Sequence, residues 1–164
     1  MTILGLDLAK LTGWSLCHDG IILRSGVWDL GAARDDHNGH NGHIFEALYR
    51  NIVDGDHFID LDVLAYEVAH HRGGPAVRIA VGTNSIVLMV AAMHDLKTVP
   101  VHTATLKKFA TGNYRAGKDD MVAEASRRVN RRVESDDEAD AILISLYAHQ
   151  QLKEKEDAES KPEV

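Results

Sequence analysis

Four carboxylates stand where a carboxylate is costly to place. Asp7 closes the apolar run Ile3-Leu4-Gly5-Leu6, and Glu67 closes a second one, Val63-Leu64-Ala65-Tyr66. Asp137 and Asp140 open a helical pattern whose apolar stripe is Ile142, Leu143, Leu146 and Tyr147. An unpaired charge at the edge of a core is strongly disfavoured, so acids arriving from distant segments imply a cation between them. Hard oxygen donors with few Cys or His among them suit magnesium, with manganese as a substitute.

The elements that must carry these acids can be read from the pattern. Ile3–Leu8 is a nearly continuous apolar run, as in a strand covered on both faces. Gly13–Cys17 and Ile21–Trp28 read as two further strands joined at Asp19-Gly20, a pair that tolerates positive φ and marks a hairpin. Ile44–Val53 reads as a helix, Val63–Val68 as a fourth strand and Thr98–His102 as a fifth. Pro75 opens a helix whose apolar periodicity runs to Met93. Thr103–Thr111 and Lys118–Val133 are expected to be helical. Ser135 followed by Glu138 predicts a capping box at the head of the last helix. The expectation is an α/β fold: a mixed five-stranded sheet, with a three-stranded antiparallel meander plus parallel strands, and helices on both faces. In such sheets, sites lie at the carboxyl ends of the strands. Asp7 and Glu67 would meet there if their strands are neighbours, while Asp137 and Asp140 share one helix face.

Composition narrows the class. The chain has 164 residues, 45% of them hydrophobic, and a single cysteine, Cys17. That is one domain with a real core and no internal disulfide. With no basic-then-apolar opening and no apolar run long enough to span a bilayer, a cytoplasmic protein is expected. The division expected is a folded domain over 1–152 and a charged tail over 153–164 that frays. The net charge of −7 argues against a nucleic-acid partner, but its distribution does not. Lys107, Lys108, Arg115, Lys118, Arg127, Arg128, Arg131 and Arg132 crowd one window, opposed there by Asp119, Asp120 and Glu124. A local basic stretch of this kind can hold a phosphate backbone.

Two motifs mislead. Gly112 to Lys118 spells most of a phosphate loop, yet the next residue is Asp119 where Ser or Thr must hold magnesium, and no buried strand precedes it. Asp137-Glu138-Ala139-Asp140 spells a helicase box but follows a helix cap, not a strand. His37, His40 and His43 lie in a glycine- and asparagine-rich stretch, with no Cys or carboxylate at a usual zinc-ligand spacing.

Taken in order, these pieces resemble the RuvC family of Holliday-junction resolvases, within the RNase H-like nucleases. Ile3-Leu4-Gly5-Leu6-Asp7 with Thr12-Gly13-Trp14 is similar to the family's first strand and turn. Glu67 matches its second acid, and Asp137 with Asp140 its closing Asp-x-x-Asp pair. Thr105-Leu106-Lys107-Lys108-Phe109-Ala110-Thr111-Gly112 and Lys118 resemble its basic DNA-contacting segment. The resemblance reaches to about Gln151 and suggests a divergent, phage-type member, acting in the host cytoplasm if phage-encoded. It implies a magnesium-dependent endonuclease that resolves four-way DNA junctions as a homodimer. Two metal ions would be held by Asp7, Glu67, Asp137 and Asp140, with Asp136 as a substitute for Asp137. Lys107, Lys108, Lys118 and Arg115 would contact DNA. Where the family carries an aromatic wedge, this chain has Val68-Ala69-His70-His71-Arg72-Gly73-Gly74, so His70 or Arg72 is the stacking candidate. The apolar segment Pro75–Met93 is the expected dimer interface. The competing readings are a less selective nuclease for forks, flaps or hybrids, and a branched-DNA binding module without catalysis.

Overall fold

The apolar runs become the middle of a sheet. The structure, a computed structural model, describes residues 1–31, 41–68 and 75–160. Among them, five strands form one sheet in the order β3-β2-β1-β4-β5. They are β1 (Thr2–Asp7), β2 (Leu11–His18), β3 (Ile21–Asp29), β4 (Val63–Glu67) and β5 (Lys97–Val101). β1, β2 and β3 pair antiparallel; β4 lies parallel to β1, and β5 parallel to β4. The expected fold class is therefore the one observed. Asp19 and Gly20 both take positive φ, at 47° and 82°, and make the two-residue turn read from the sequence. Pro100 is tolerated in β5 because that strand is the edge of the sheet.

Alternation along the strands sends side chains to two layers. Leu4, Leu6, Leu64 and Tyr66 pack with Ile44, Leu48 and Ile52 of α1 (Gly42–Val53) and Val87, Val90 and Ala91 of α2 (Pro75–Met93). Ile3, Cys17, Val63, Ala65, Val99 and Val101 face the other way. They pack on α3 (Thr103–Thr111), α4 (Lys118–Val129) and α5 (Asp136–Glu159) through Leu106, Met121, Ala125, Ile142, Leu143 and Ile144.

Three details depart from the sequence-based expectation. The helix expected over Lys118–Val133 ends at Val129, because Asn130 turns left-handed at φ 52° and caps it. Val133 then drops into the core, 2% exposed, with its N–H donating to Ser126 Oγ at 3.0 Å. The predicted capping box is half made. Ser135 Oγ accepts from Glu138 N at 3.4 Å, but the Glu138 carboxylate is taken by Ser25 Oγ and Arg131, at 2.7 and 2.6 Å. The charged stretch from Lys153, expected to fray, stays helical through Glu159.

Candidate metal centre

The register of the sheet brings two of the acids together. Leu6 of β1 stands beside Tyr66 of β4, so the next row puts Asp7 and Glu67 side by side at the carboxyl ends of parallel strands. The third acid comes from α5, which lies against β1 and β2 with almost no clearance. A Cβ added at Gly13 would stand 1.9 Å from the Asp137 carbonyl oxygen, and one at Gly5 2.6 Å from the Ala141 carbonyl oxygen. Ser15 completes the seam, its hydroxyl donating to the Ala141 carbonyl at 3.1 Å and lying 2.6 Å from Ser145 Oγ. Small side chains on both surfaces thus let the first turns of the helix descend onto the strand ends.

One carboxylate oxygen each from Asp7, Glu67 and Asp140 then lies within 4.8 Å of the others, all three side chains partly buried. Burial first, then repulsion by Glu67, Asp140 and Asp137, raises the Asp7 carboxyl well above its ordinary range. Asp140 is pushed up to about 7 by burial, then by Glu67 and Asp136, with Lys107 working the other way. Asp140 Oδ1 is buried without a hydrogen-bond partner. An orphaned anionic oxygen is costly, and a cation among the three acids would satisfy it while relieving their repulsion. The donor set, all oxygen, fits magnesium or manganese.

Asp137 lies outside that trio. It is near enough to raise both Asp7 and Asp140, and is itself raised by burial and by Asp136. Asp136, the substitute candidate, is committed to Lys118, whose ammonium forms an ion pair with it and holds its carboxyl low.

The basic window divides. Arg127 and Arg128 both bind Glu124, Arg131 binds Glu138, and Arg132 pairs with Glu134. Arg128 also lies over the Phe109 ring at 4.3 Å. Of these, Arg128 ties α4 to α3 and Arg131 ties the end of α4 to α5, while Arg127 pairs within α4 and Arg132 within the loop that follows it. Two lysines border the acids instead: Lys107 acts on Asp140, and Lys118 on Asp136, Asp137 and Asp140; Lys108 sits 5.0 Å over the exposed Tyr114 ring. Arg115 is exposed between them. The false phosphate loop is the α3–α4 connection: Gly112 caps α3 with φ 76°, and Gly117 caps α4. His70, His71 and Arg72 lie outside the described residues, as do His37 and His40.

Sequence reasoning missed several residues. Thr103, the first residue of α3, donates its hydroxyl to Glu67 Oε1. Asn84 of α2 reaches the Glu67 carbonyl at 3.5 Å. Nothing in the spacing announces either. Gly13 had a signal, since a glycine within a strand marks close approach of another backbone.

No protein-family model matches the chain, and no curated protein does. Solved structures do. The chain is similar to Thermus thermophilus RuvC in complex with a Holliday junction substrate, with a TM-score of 0.75 and 15% identity over 92% of this chain and 96% of that one. The yeast mitochondrial Holliday junction resolvase Ydc2 gives 0.64 at 12% identity, over 95% of this chain and 83% of the other. The fowlpox virus Holliday junction resolvase gives 0.59 at 13% identity, over 93% and 99%. At such identities the likeness is one of fold: the mixed sheet flanked by helices is the RuvC type of the RNase H-like fold.

Proposed function

We propose that this chain is a magnesium-dependent endonuclease that cuts branched DNA, with the four-way junction as its main substrate. The observation carrying this reading is the convergence of Asp7, Glu67 and Asp140 from three elements onto one strand-end edge bordered by lysines. The solved structures that share the fold over nearly the whole chain include Holliday junction resolvases, one of them with junction DNA. Asp7, Glu67 and Asp140 hold the cation, and Asp137, one turn earlier on α5, is the fourth ligand. Two divalent ions, when bound, supply an activated water and charge stabilisation at the leaving oxygen of a phosphodiester.

The chain's own residues do the rest. Without a cation the acids repel a phosphate, so the phosphate to be cut would enter the acidic edge only with the cation bound, while the basic residues hold the rest of the DNA. Lys107, Lys108, Lys118 and Arg115 take phosphate oxygens and fix the strand in register. Lys118 must leave Asp136 to do so. That exchange is cheap, because the pair is exposed and its attraction is screened by solvent. Lys108 with Tyr114 offers a cation beside a flat ring, a combination suited to unstacked bases.

Two symmetric nicks in a four-way junction call for a two-fold dimer. The outer side of α2 supports one: Val81, Leu88, Met89 and Met93 are 41, 48, 42 and 60% exposed. A second reading, broader activity on forks and flaps, is favoured by the absence of an aromatic residue over 68–74.

Asp7→Asn tests the site. Cleavage should be abolished while junction affinity stays within about threefold, because the change removes a metal ligand and no basic contact. Cleavage retained at ordinary magnesium concentration would overturn the assignment.

A further inference from the structure

Glu67 is the longest of the three clustered acids and the hardest to hold. Its terminal torsion is broad and roughly two-fold, so a free glutamate at a strand end presents either oxygen in many directions. Asp7 and Asp140 have shorter side chains, fixed by β1 and α5. Glu67 needs a partner, and the structure supplies one from an element that carries no acid of the cluster. The Thr103 hydroxyl, at the start of α3, donates to Glu67 Oε1. A hydroxyl bonded to a carboxylate is a charge-assisted contact, stronger than a neutral one.

The same helix carries Lys107. Thr103 and Lys107 are four residues apart on α3, hence on one face of it. The face of α3 that meets the acidic cluster through the Thr103 hydroxyl therefore also carries Lys107.

Resting on the metal-ion reading above, we infer that Thr103 is a positioning residue: its hydroxyl occupies Glu67 Oε1 so that Oε2 is the oxygen presented to the cation. Thr103 touches neither cation nor DNA. It acts through Glu67, and it ties the lysine-bearing helix to the site that the lysine serves. Partners in the layer behind the ligands typically contribute tenfold to a hundredfold in metal affinity.

Thr103→Val keeps the shape and removes the donor; Thr103→Ser keeps the donor and removes the methyl group. Manganese binding to the DNA-free protein, followed by electron paramagnetic resonance of the free ion, reads the effect without catalysis. The valine variant should bind Mn²⁺ about tenfold more weakly, and the serine variant should return to within about twofold of the parent. Junction affinity without divalent ions should be the same in all three proteins. Unchanged Mn²⁺ affinity in the valine variant overturns the inference and leaves the nuclease reading standing. Equal loss in both variants also overturns it, since packing rather than the donor would then matter. A parent protein that binds no Mn²⁺ overturns both.

Discussion

Asp140 combines two properties that the sequence could not state: a buried oxygen without a partner and a carboxyl raised to about 7. Folding favours its protonated form, so its presence disfavours the fold increasingly as pH rises from its ordinary value near 3.8 to about 7, and by a constant amount above that. Asp7 acts in the same direction. Glu124 does the opposite at acid pH: its carboxyl is held down to about 2 by Arg127, against burial and with help from Arg128, so its stabilisation is lost only as pH falls from about 4.5 toward 2. Without metal, the melting temperature should therefore fall by a few degrees between pH 5 and pH 8, and Asp140→Asn should recover part of that fall, the remainder belonging to Asp7. Magnesium should raise the melting temperature more at pH 8 than at pH 5, because the ion needs the deprotonated acids. Scanning calorimetry at the two pH values, with magnesium and with chelator, checks each sign; a magnesium effect larger at pH 5 would contradict the site.

At the scale of elements, the seam between α5 and the strands sets the geometry. Gly13→Ala would drive a Cβ into the Asp137 carbonyl, so the start of α5 must move. Overpacking of this kind costs roughly 1–3 kcal/mol, and the acids move with the helix. Cleavage should fall at least tenfold in a protein that still folds; a melting temperature lowered with cleavage intact would mean α5 tolerates the shift. The basic elements make a separate prediction. Lys107→Ala, Lys108→Ala and Lys118→Ala should each lower the slope of log affinity against log salt by about one. An unchanged slope in all three would mean that these lysines face solvent.

Sequence periodicity carried the strands well, because β1 and β4 are buried on both faces and read as unbroken apolar runs, whereas their order in the sheet came only with the structure. It also carried Asp7 and Glu67, since an acid at the end of such a run has few explanations. The end of α4 was not legible: Asn130 sits among arginines that continue a helical pattern, and only its left-handed turn reveals the break. Nor could the sequence sort lysines from arginines in the basic window. That division depends on Glu124, Glu134 and Glu138 meeting the arginines, two of these acids across turns of the chain and one along α4 itself. Thr103 was hidden for a similar reason, as its partner lies 36 residues away, at the end of β4.

For the whole molecule, symmetry is the open physical demand. Apolar side chains along the outer side of α2 would be covered in a two-fold pair, placing two acidic centres on one junction. Sedimentation at micromolar concentration should give about twice the 18.0 kDa chain mass, and Leu88→Asp should halve it. A native monomer that stays monomeric on junction DNA would argue for single nicks. The most direct test remains the reaction itself. A four-way junction and a linear duplex of the same sequence are incubated with the purified protein, with magnesium or with chelator. Paired nicks near the branch point, present only with magnesium and far slower on the duplex, are the expected result. Equal cutting of both substrates, or no cutting of the junction with magnesium and manganese each supplied, would contradict it.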